Sequence, residues 1–532
     1  MIFNTIPFLF FLLIVLGIYW GLREDRWRHP FLFAANFFFY GWWNWKFTAL
    51  LLMVIIISYL GGRLLETSNK KRQKKIMIGV CTLLLLILAY FKYTNFFLES
   101  LQHACQKLGT ILGWTTLKII LPAGISFYIF QAISYVVTVY RGKLLAEKSF
   151  IRLGLYLSFF PHLVAGPIIH APNFLPQLLQ KRIFHAPFFI EGCRKFALGF
   201  LYKTVFADHL AAVVNPIFEK LHNQPKINLL GGCVGFYGQI YFDFAGYSLM
   251  AIGVAQLLGY TLPENFHFPY RATSLIDFWR RWHISLSTWL RDYLYIPLGG
   301  NRCSLFRNYL NIIITMFLGG MWHGASWNFL LWGGIHGVAL CLNHAWRSLC
   351  TFTKPSVRIF HAGVDSATAD DCVAYISDEV STIPRCSENA TPGIMTLSSN
   401  YFMRAIMLLS KKLRTPFCWL ITQGIVLLCW IPFRAMTWND TVLLIREMLS
   451  GVIEIFSTLL AHKIPDLGLS SLPWGLLLLP LFFDTALYGN DQWRFKYVWR
   501  SNIALYIAIS LALLLGLLFM STGMVNFIYF QF

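Results

Sequence analysis

Long apolar runs alternate with short basic connections along most of this chain, and that alternation predicts a stack of membrane-length helices. Candidate spans over 6–22, 30–45, 47–62, 76–98 and 117–140 open the chain, and 412–436, 440–460, 471–488 and 503–531 close it. The runs are continuous, as in Ile76–Ala89 and Ile503–Met520, where a β-barrel would alternate apolar and polar positions. A crossing helix needs roughly 20 mostly apolar residues, and the chain offers about a dozen such lengths. The predicted fold class is therefore all-α integral membrane: a multi-pass helical bundle of about a dozen transmembrane or re-entrant helices.

Between residues 150 and 345 the pattern changes. Apolar stretches are interrupted by Gly, Pro and charge, as in Phe159-Phe160-Pro161-His162-Leu163-Val164-Ala165-Gly166-Pro167 and Tyr241-Phe242-Asp243-Phe244-Ala245-Gly246-Tyr247. Broken helices and ionisable groups at membrane depth survive only where protein or water surrounds them. Four regions follow: wall helices over 1–150, an interior core over 151–345, a polar insertion over 346–411, and closing wall helices over 412–532. Within the insertion, 354–400 carries Asp365, Asp370, Asp371, Asp378, Glu379 and Glu388 against Lys354, Arg358 and Arg385, and reads as a loop or partly disordered segment. Arg347, Arg404, Lys411, Lys412 and Arg414 on its flanks place it in the cytoplasm.

Charge then orients the bundle. The connections at 21–29 (Arg23, Arg26, Arg28), 70–75 (Lys-Lys-Arg-Gln-Lys-Lys) and 141–152 (Arg141, Lys143, Lys148, Arg152) are basic, and the alternate ones hold little more than Lys46, Lys107 and Lys118. The positive-inside rule puts the basic loops in the cytoplasm and the N-terminus on the outer side of the membrane. It also accounts for the net charge of +20 without nucleic acid. With 57% hydrophobic and 13% charged residues, no soluble-domain reading survives. The 11 cysteines form no CxxC pair and no Cys/His ligand spacing, so neither a metal site nor a disulfide framework is expected. No basic residue precedes the first apolar run and no small-residue cleavage site follows it, so that segment is read as a retained span.

Two segments carry candidate chemistry. Residues 276–295, read as one helix, place Trp279, Trp282, Leu286, Leu290 and Tyr293 on one stripe and Asp277, Arg280, His283, Ser287 and Arg291 on the other. An interfacial anchor helix would explain the aromatics and arginines; a His in line with two arginines is what a polar cavity wall would need. The second segment is Leu318-Gly319-Gly320-Met321-Trp322-His323-Gly324-Ala325-Ser326-Trp327, a His between small residues that allow close approach of a helix or substrate. A His at membrane depth is costly enough to suggest function, against the plainer reading of a His bonded to a neighbouring carbonyl. For His336, in Ile335-His336-Gly337, the plainer reading is preferred. There is no Walker A run, no HExxH and no Gly-x-Ser-x-Gly elbow. Lone acids such as Asp243 and Asp484 leave a proton-coupled transporter open.

At these residues the chain resembles a known family. Tyr241–Gly253, Pro263-Glu264-Asn265-Phe266, the run from Phe278-Trp279-Arg280-Arg281-Trp282-His283 through Pro297-Leu298-Gly299-Gly300-Asn301-Arg302, and Trp322-His323-Gly324 resemble the membrane-bound O-acyltransferase (MBOAT) family. The likeness is to its bacterial, alginate-O-acetylating branch. Leu121-Pro122-Ala123-Gly124-Ile125-Ser126-Phe127 and Phe160–Pro167 agree in order and spacing. Two departures stand out: Leu249 replaces an Asp usual in the family, and the 354–400 segment is longer than the branch carries.

The resemblance implies a ring of helices around a thinned centre, with a tunnel joining a cytoplasmic donor to an outward-facing acceptor. It implies His323 as general base and His283 as the group that orients donor or acceptor, with Arg280, Arg291, Trp322, Asp243 and Ser287 at the substrate. The donor would be acetyl-CoA or an acyl-carrier thioester, with no bound cofactor or metal. The acceptor would be hydroxyls of an exported cell-envelope polysaccharide, reached with a separate periplasmic esterase-like or acetyltransferase partner, and the remaining contact would be membrane lipid. A polysaccharide or lipid transporter and a non-catalytic scaffold of an envelope-modification complex stay as alternatives.

Overall fold

The computed structural model describes residues 1–110, 117–352, 411–460 and 502–518. Among the described residues every regular element is helical. Five helical stretches among the described residues are long and apolar enough to cross a membrane: Lys46–Glu66, Lys70–Lys107, Ala186–Glu219, Lys226–Leu257 and Leu413–Arg434. Ile6–Gly21 and Ile125–Tyr140 are shorter apolar helices. The expected span over 471–488 with Asp484, the whole of the polar 354–400 insertion and the second half of the 503–531 span lie outside the described residues.

Helices α1 (Ile6–Gly21), α2 (Asp25–Gly41), α3 (Lys46–Glu66), α4 (Lys70–Lys107) and α5 (Ile125–Tyr140) form one side of the molecule. Pro7 opens α1, and Asp25 supplies the negative charge favoured in the first turn of α2. Phe10, Leu13 and Ile14 of α1 and Leu86 and Tyr90 of α4 are exposed, as the lipid face of a wall requires. The basic run 70–75 is the start of α4 rather than a loop. The Asn69 side chain accepts from the Arg72 N–H at 3.0 Å, and the good helix formers Lys, Arg and Gln continue from that cap. Conversely 117–124 is not helical, because Pro122 and a left-handed Gly124 (φ 72°) precede α5. A side chain at Gly124 would run into the Leu163 carbonyl, so only Gly lets the two backbones meet there.

The core block is built of shorter pieces. These are α6 (Phe150–Ser158), α7 (Phe160–Leu163), α8 (Ala171–Leu179), α9 (Ala186–Leu201), α10 (Asp208–Glu219), α11 (Lys226–Leu257), α12 (Leu275–Arg281), α13 (Ile284–Leu290), α14 (Leu305–His323) and α15 (Trp327–Phe352). A π-helical turn over Tyr202–Ala207 joins α9 to α10. Helix α11 runs through the middle: its most apolar window is 94% buried, against 11% for α4. It packs on α9 and α10, and also on α16 (Lys411–Arg434) and α17 (Trp438–Leu460), while α18 (Asn502–Leu518) lies on α9. Two hydrophobic cores result, one around α1–α8 and one around α10–α17. Trp322 belongs to the first and Trp282 and Trp332 to the second, so the seam between them passes through the Trp-His motifs.

The single helix expected over 276–295 is broken. Helix α12 stops at Arg281, His283 takes a left-handed conformation (φ 43°, ψ 54°), and α13 starts at Ile284. The backbone is diverted onto the 265–267 segment: His267 N–H donates to the Arg281 carbonyl and Ile284 N–H to the Asn265 carbonyl, both at 2.9 Å. Left-handed backbone costs a non-glycine residue about 1–2 kcal/mol, which the burial of Trp282, 0% exposed, and the His283–Asn265 hydrogen bond at 3.0 Å offset.

Candidate active site

His323 is the last residue of α14, and its position follows from how that helix meets α15. A side chain at Gly320 would strike the Phe329 carbonyl, and one at Gly333 the Met316 carbonyl, so the two backbones touch where these glycines face across. The small residues around the motif are therefore packing surfaces. Gly320→Val should push α14 and α15 apart and lower acyl transfer with a falling melting temperature. A stable, fully active Gly320→Val protein would show that the close contact is not needed.

The His323 side chain is 5% exposed and sits in an aromatic cage. Its ring centroid lies 5.0 Å from Trp322, 4.9 Å from Trp332 and 5.3 Å from Phe433. The His283 ring is 6.4 Å away. The break between α12 and α13 and the end of α14, 40 residues apart in sequence, thus bring the two motif histidines to one place.

The tautomer of His283 is fixed by its neighbours. Asn265 Oδ1 accepts from Ser285 N–H at 3.3 Å and from Ser285 Oγ at 2.8 Å, and a backbone N–H can only donate, so the atom facing it is oxygen. His283 Nδ1, 3.0 Å from the same oxygen, must then carry the proton and donate it. That leaves Nε2 as a buried lone pair with no hydrogen-bond partner among the described residues. His162 is the contrast: Gln131 Nε2 donates to its Nδ1 at 3.0 Å, and its Nε2 donates to the Tyr156 carbonyl at 3.1 Å. Both of its nitrogens are used, as in a structural His. His336 is intermediate, with Nδ1 accepting from Trp279 Nε1 at 3.4 Å.

A cavity of about 440 Å³ adjoins His323, within the size range of small-molecule sites. Met1, Tyr40, Trp43, Lys92, Leu121–Gly124, Ser126, Trp322 and His323 line it. These residues mark one end of the bundle. Met1 precedes α1, Tyr40 ends α2, Ser126 begins α5 and His323 ends α14, whereas Arg23, Arg28, Arg141 and Arg307 lie at the other ends of those helices. The cavity is thus remote from the basic clusters. In and around the aromatic cage, the indole N–H groups of Trp282, Trp322, Trp332 and Trp430 are buried with no acceptor among the described residues, and of these only Trp322 lines the cavity. Buried donors of this kind normally find a partner, and here water or substrate oxygens could supply one.

The remaining expected site residues do not converge. Arg280, on α12 ahead of the break at His283, is exposed. Arg291 is also exposed, and its Nε pairs with Asp292 at 2.7 Å. Ser287 donates to the Trp282 carbonyl at 3.4 Å. Asp243 is not a lone acid: Lys203 Nζ lies 2.6 Å from it and 2.8 Å from Asp208, all three side chains at most 4% exposed. None of these four lines the cavity.

Sequence reasoning missed Lys92, Asn265 and Lys203. Lys92 had a readable signal, as the single Lys or Arg within the apolar stretch 76–98, a cation at membrane depth. Among the described residues no group of three or more His, Cys, Asp or Glu is placed to hold a metal ion.

Comparison with known proteins supplies the context. Residues 144–364 match the membrane-bound O-acyltransferase family. The chain is 41% identical over 355 residues to a probable alginate O-acetylase AlgI of Azotobacter vinelandii, covering 65% of this chain and 69% of that protein. It is 42% identical over 349 residues to the probable alginate O-acetylase AlgI of Pseudomonas putida, covering 65% and 71%. A peptidoglycan O-acetyltransferase of Helicobacter pylori is 33% identical over 393 residues, covering 67% and 73%.

Proposed function

The chain belongs to the membrane-bound O-acyltransferase family, and from that premise we propose how its geometry moves an acyl group across the bilayer. The protein is an O-acyltransferase of the cell envelope. In our reading it carries acetyl from a cytoplasmic thioester toward hydroxyls of an exported polysaccharide, as the names of its relatives suggest. The observation that carries the reading is the meeting of His323 and His283 in a buried aromatic cage beside a cavity at the end remote from the basic clusters.

A coenzyme A or carrier-protein thioester is too polar to cross, whereas its acyl end can reach the cage from the cytoplasmic side. An acceptor hydroxyl enters by the cavity. His323 takes its proton as the oxygen attacks the thioester carbonyl carbon; the tetrahedral adduct collapses with cleavage of the C–S bond, and the thiolate leaves and recovers the proton as thiol. His283, locked by Asn265 with its Nε2 lone pair free, orients the incoming hydroxyl or the donor. The buried indole N–H groups offer hydrogen bonds to the carbonyl oxygen as charge develops there.

This reading carries an architecture of about a dozen transmembrane or re-entrant helices around a thinned core. The basic helix ends lie in the cytoplasm and the N-terminus in the periplasm of the inner membrane. A separate periplasmic esterase-like or acetyltransferase partner completes transfer to the polymer.

The test uses sealed membrane vesicles of both orientations and an acetyl-labelled thioester. Label should be consumed only when the thioester meets the face carrying Arg23 and Lys70, and should reach hydroxyls only on the face of the cavity. A transporter would move polymer without consuming thioester, and a scaffold would do neither. Full-rate acetylation of native polymer by the isolated protein would remove the partner from the scheme.

A further inference from the structure

The C-terminal turn that carries His323 is held from outside its own helix. A helix ends with carbonyls that have no intrahelical donor, and it carries partial negative charge there. At the end of α14 three such carbonyls in succession are taken by two successive residues of α4. Tyr93 Oη donates to the Met321 carbonyl at 2.9 Å. Lys92 Nζ donates to the Trp322 carbonyl, and to the His323 carbonyl at 3.2 Å. The same ammonium lies 5.8 Å from the centroid of the Trp322 ring.

Lys92 thus reaches out of an apolar span to the backbone of the proposed base. Among the described residues it has no carboxylate partner; its charge is compensated by helix carbonyls and an aromatic face. Its side chain also stands in the cavity wall next to His323. A cation in a span is expensive, and a capped helix end could be had with water or a hydroxyl instead. What the ammonium adds is a fixed point, with two bonds to adjacent peptide groups that set the direction in which His323 leaves the helix.

We propose that Lys92, with Tyr93, is a positioning residue for acyl transfer, clamping the Met321–His323 carbonyls so that the His323 imidazole is presented to the acceptor hydroxyl. The inference rests on the assignment of His323 as base. A base displaced by an ångström can lose about 100-fold in rate. Lys92 therefore acts on kcat and leaves the thioester KM alone, while its place in the acceptor cavity lets the acceptor KM move with it.

The experiment measures kcat and KM for thioester and acceptor, with melting temperature, for Lys92→Met, Lys92→Arg and Tyr93→Phe, alongside His323→Ala. Lys92→Met should purify folded with kcat lowered roughly 10- to 100-fold and the thioester KM unchanged. Lys92→Arg, which keeps the donors, should recover part of that loss. Tyr93→Phe removes one hydrogen bond and should lower kcat about threefold. Three results overturn the clamp: folded Lys92→Met with normal kcat, a rise in KM for the acceptor alone, or a loss that follows the folded fraction. If Lys92→Met does not accumulate, Tyr93→Phe decides, and an unchanged kcat there sinks the inference. An inactive His323→Ala beside a fully active Lys92→Met removes only the clamp, while an active His323→Ala removes the base itself.

Discussion

His323→Ala is expected to abolish acyl transfer while the protein still inserts, purifies and melts normally. Loss of general-base catalysis alone is worth roughly 10²–10⁴ in rate, and loss of positioning deepens it. The expectation of normal folding has a structural basis. The His323 ring is surrounded by Trp322, Trp332 and Phe433, which keep one another in place through contacts such as Trp332–Phe433 at 5.5 Å. His283→Ala should also cut activity severely, because it removes the Asn265-locked imidazole whose Nε2 lone pair lies beside His323, but it leaves Asn265 bonded to Ser285 and Ser248. His336→Ala should matter far less, since its ring stacks on Phe278 and accepts from Trp279, away from the cavity lining. The assay is transfer of labelled acetyl from a thioester, paired with thermal denaturation in detergent. A purely structural His323 predicts lowered yield and stability with activity following the folded fraction. Well-folded His323→Ala protein with near-normal transfer ends the mechanism.

What the sequence made legible, and what it hid, divides along the range of the interactions involved. Helical class and membrane residence follow from local composition, since each span must satisfy its own backbone bonds. The pairing of His283 with His323 was legible only through the resemblance; nothing in the spacing of two motifs 40 residues apart brings them together. Helical periodicity misled over 276–295. It assumes an unbroken helix, and the break at His283 is imposed by backbone pairing with Asn265 and His267, which no local pattern contains. Arg280 and Arg291 then fall on the surface instead of beside His283. Lys92 was visible as a lone cation in a span but could not be linked to α14 without the fold. Asp243 was read as lone for the same reason: its counter-ion arrives from a different helix, at the π-helical turn.

That counter-ion should be indispensable to folding. Lys203 reaches both Asp208 and Asp243, so the buried triad carries two negative charges against one positive. Removing the cation in Lys203→Met takes away the ammonium that both carboxylates contact, and breaking a buried ion pair by removing one partner costs about 3–5 kcal/mol. That is a large part of the stability of an ordinary domain, so the variant should accumulate poorly or melt far below the parent. Asp208→Asn should behave oppositely. It leaves a balanced Lys203–Asp243 pair, and its effect should stay within about 1 kcal/mol. Replacing all three, Lys203→Met with Asp208→Asn and Asp243→Asn, should recover much of the Lys203→Met loss, because a wholly uncharged site avoids the orphaned charges. The consequence reaches the active site through one residue: Phe244, next to Asp243 on α11, packs edge-on against His283 at 4.7 Å. A partly folded Lys203→Met protein should therefore also lose more transfer per folded molecule than Asp208→Asn. Size-exclusion yield and melting temperature of the four proteins decide the matter. A Lys203→Met protein as stable as its parent would mean that the triad does not hold α9, α10 and α11 together.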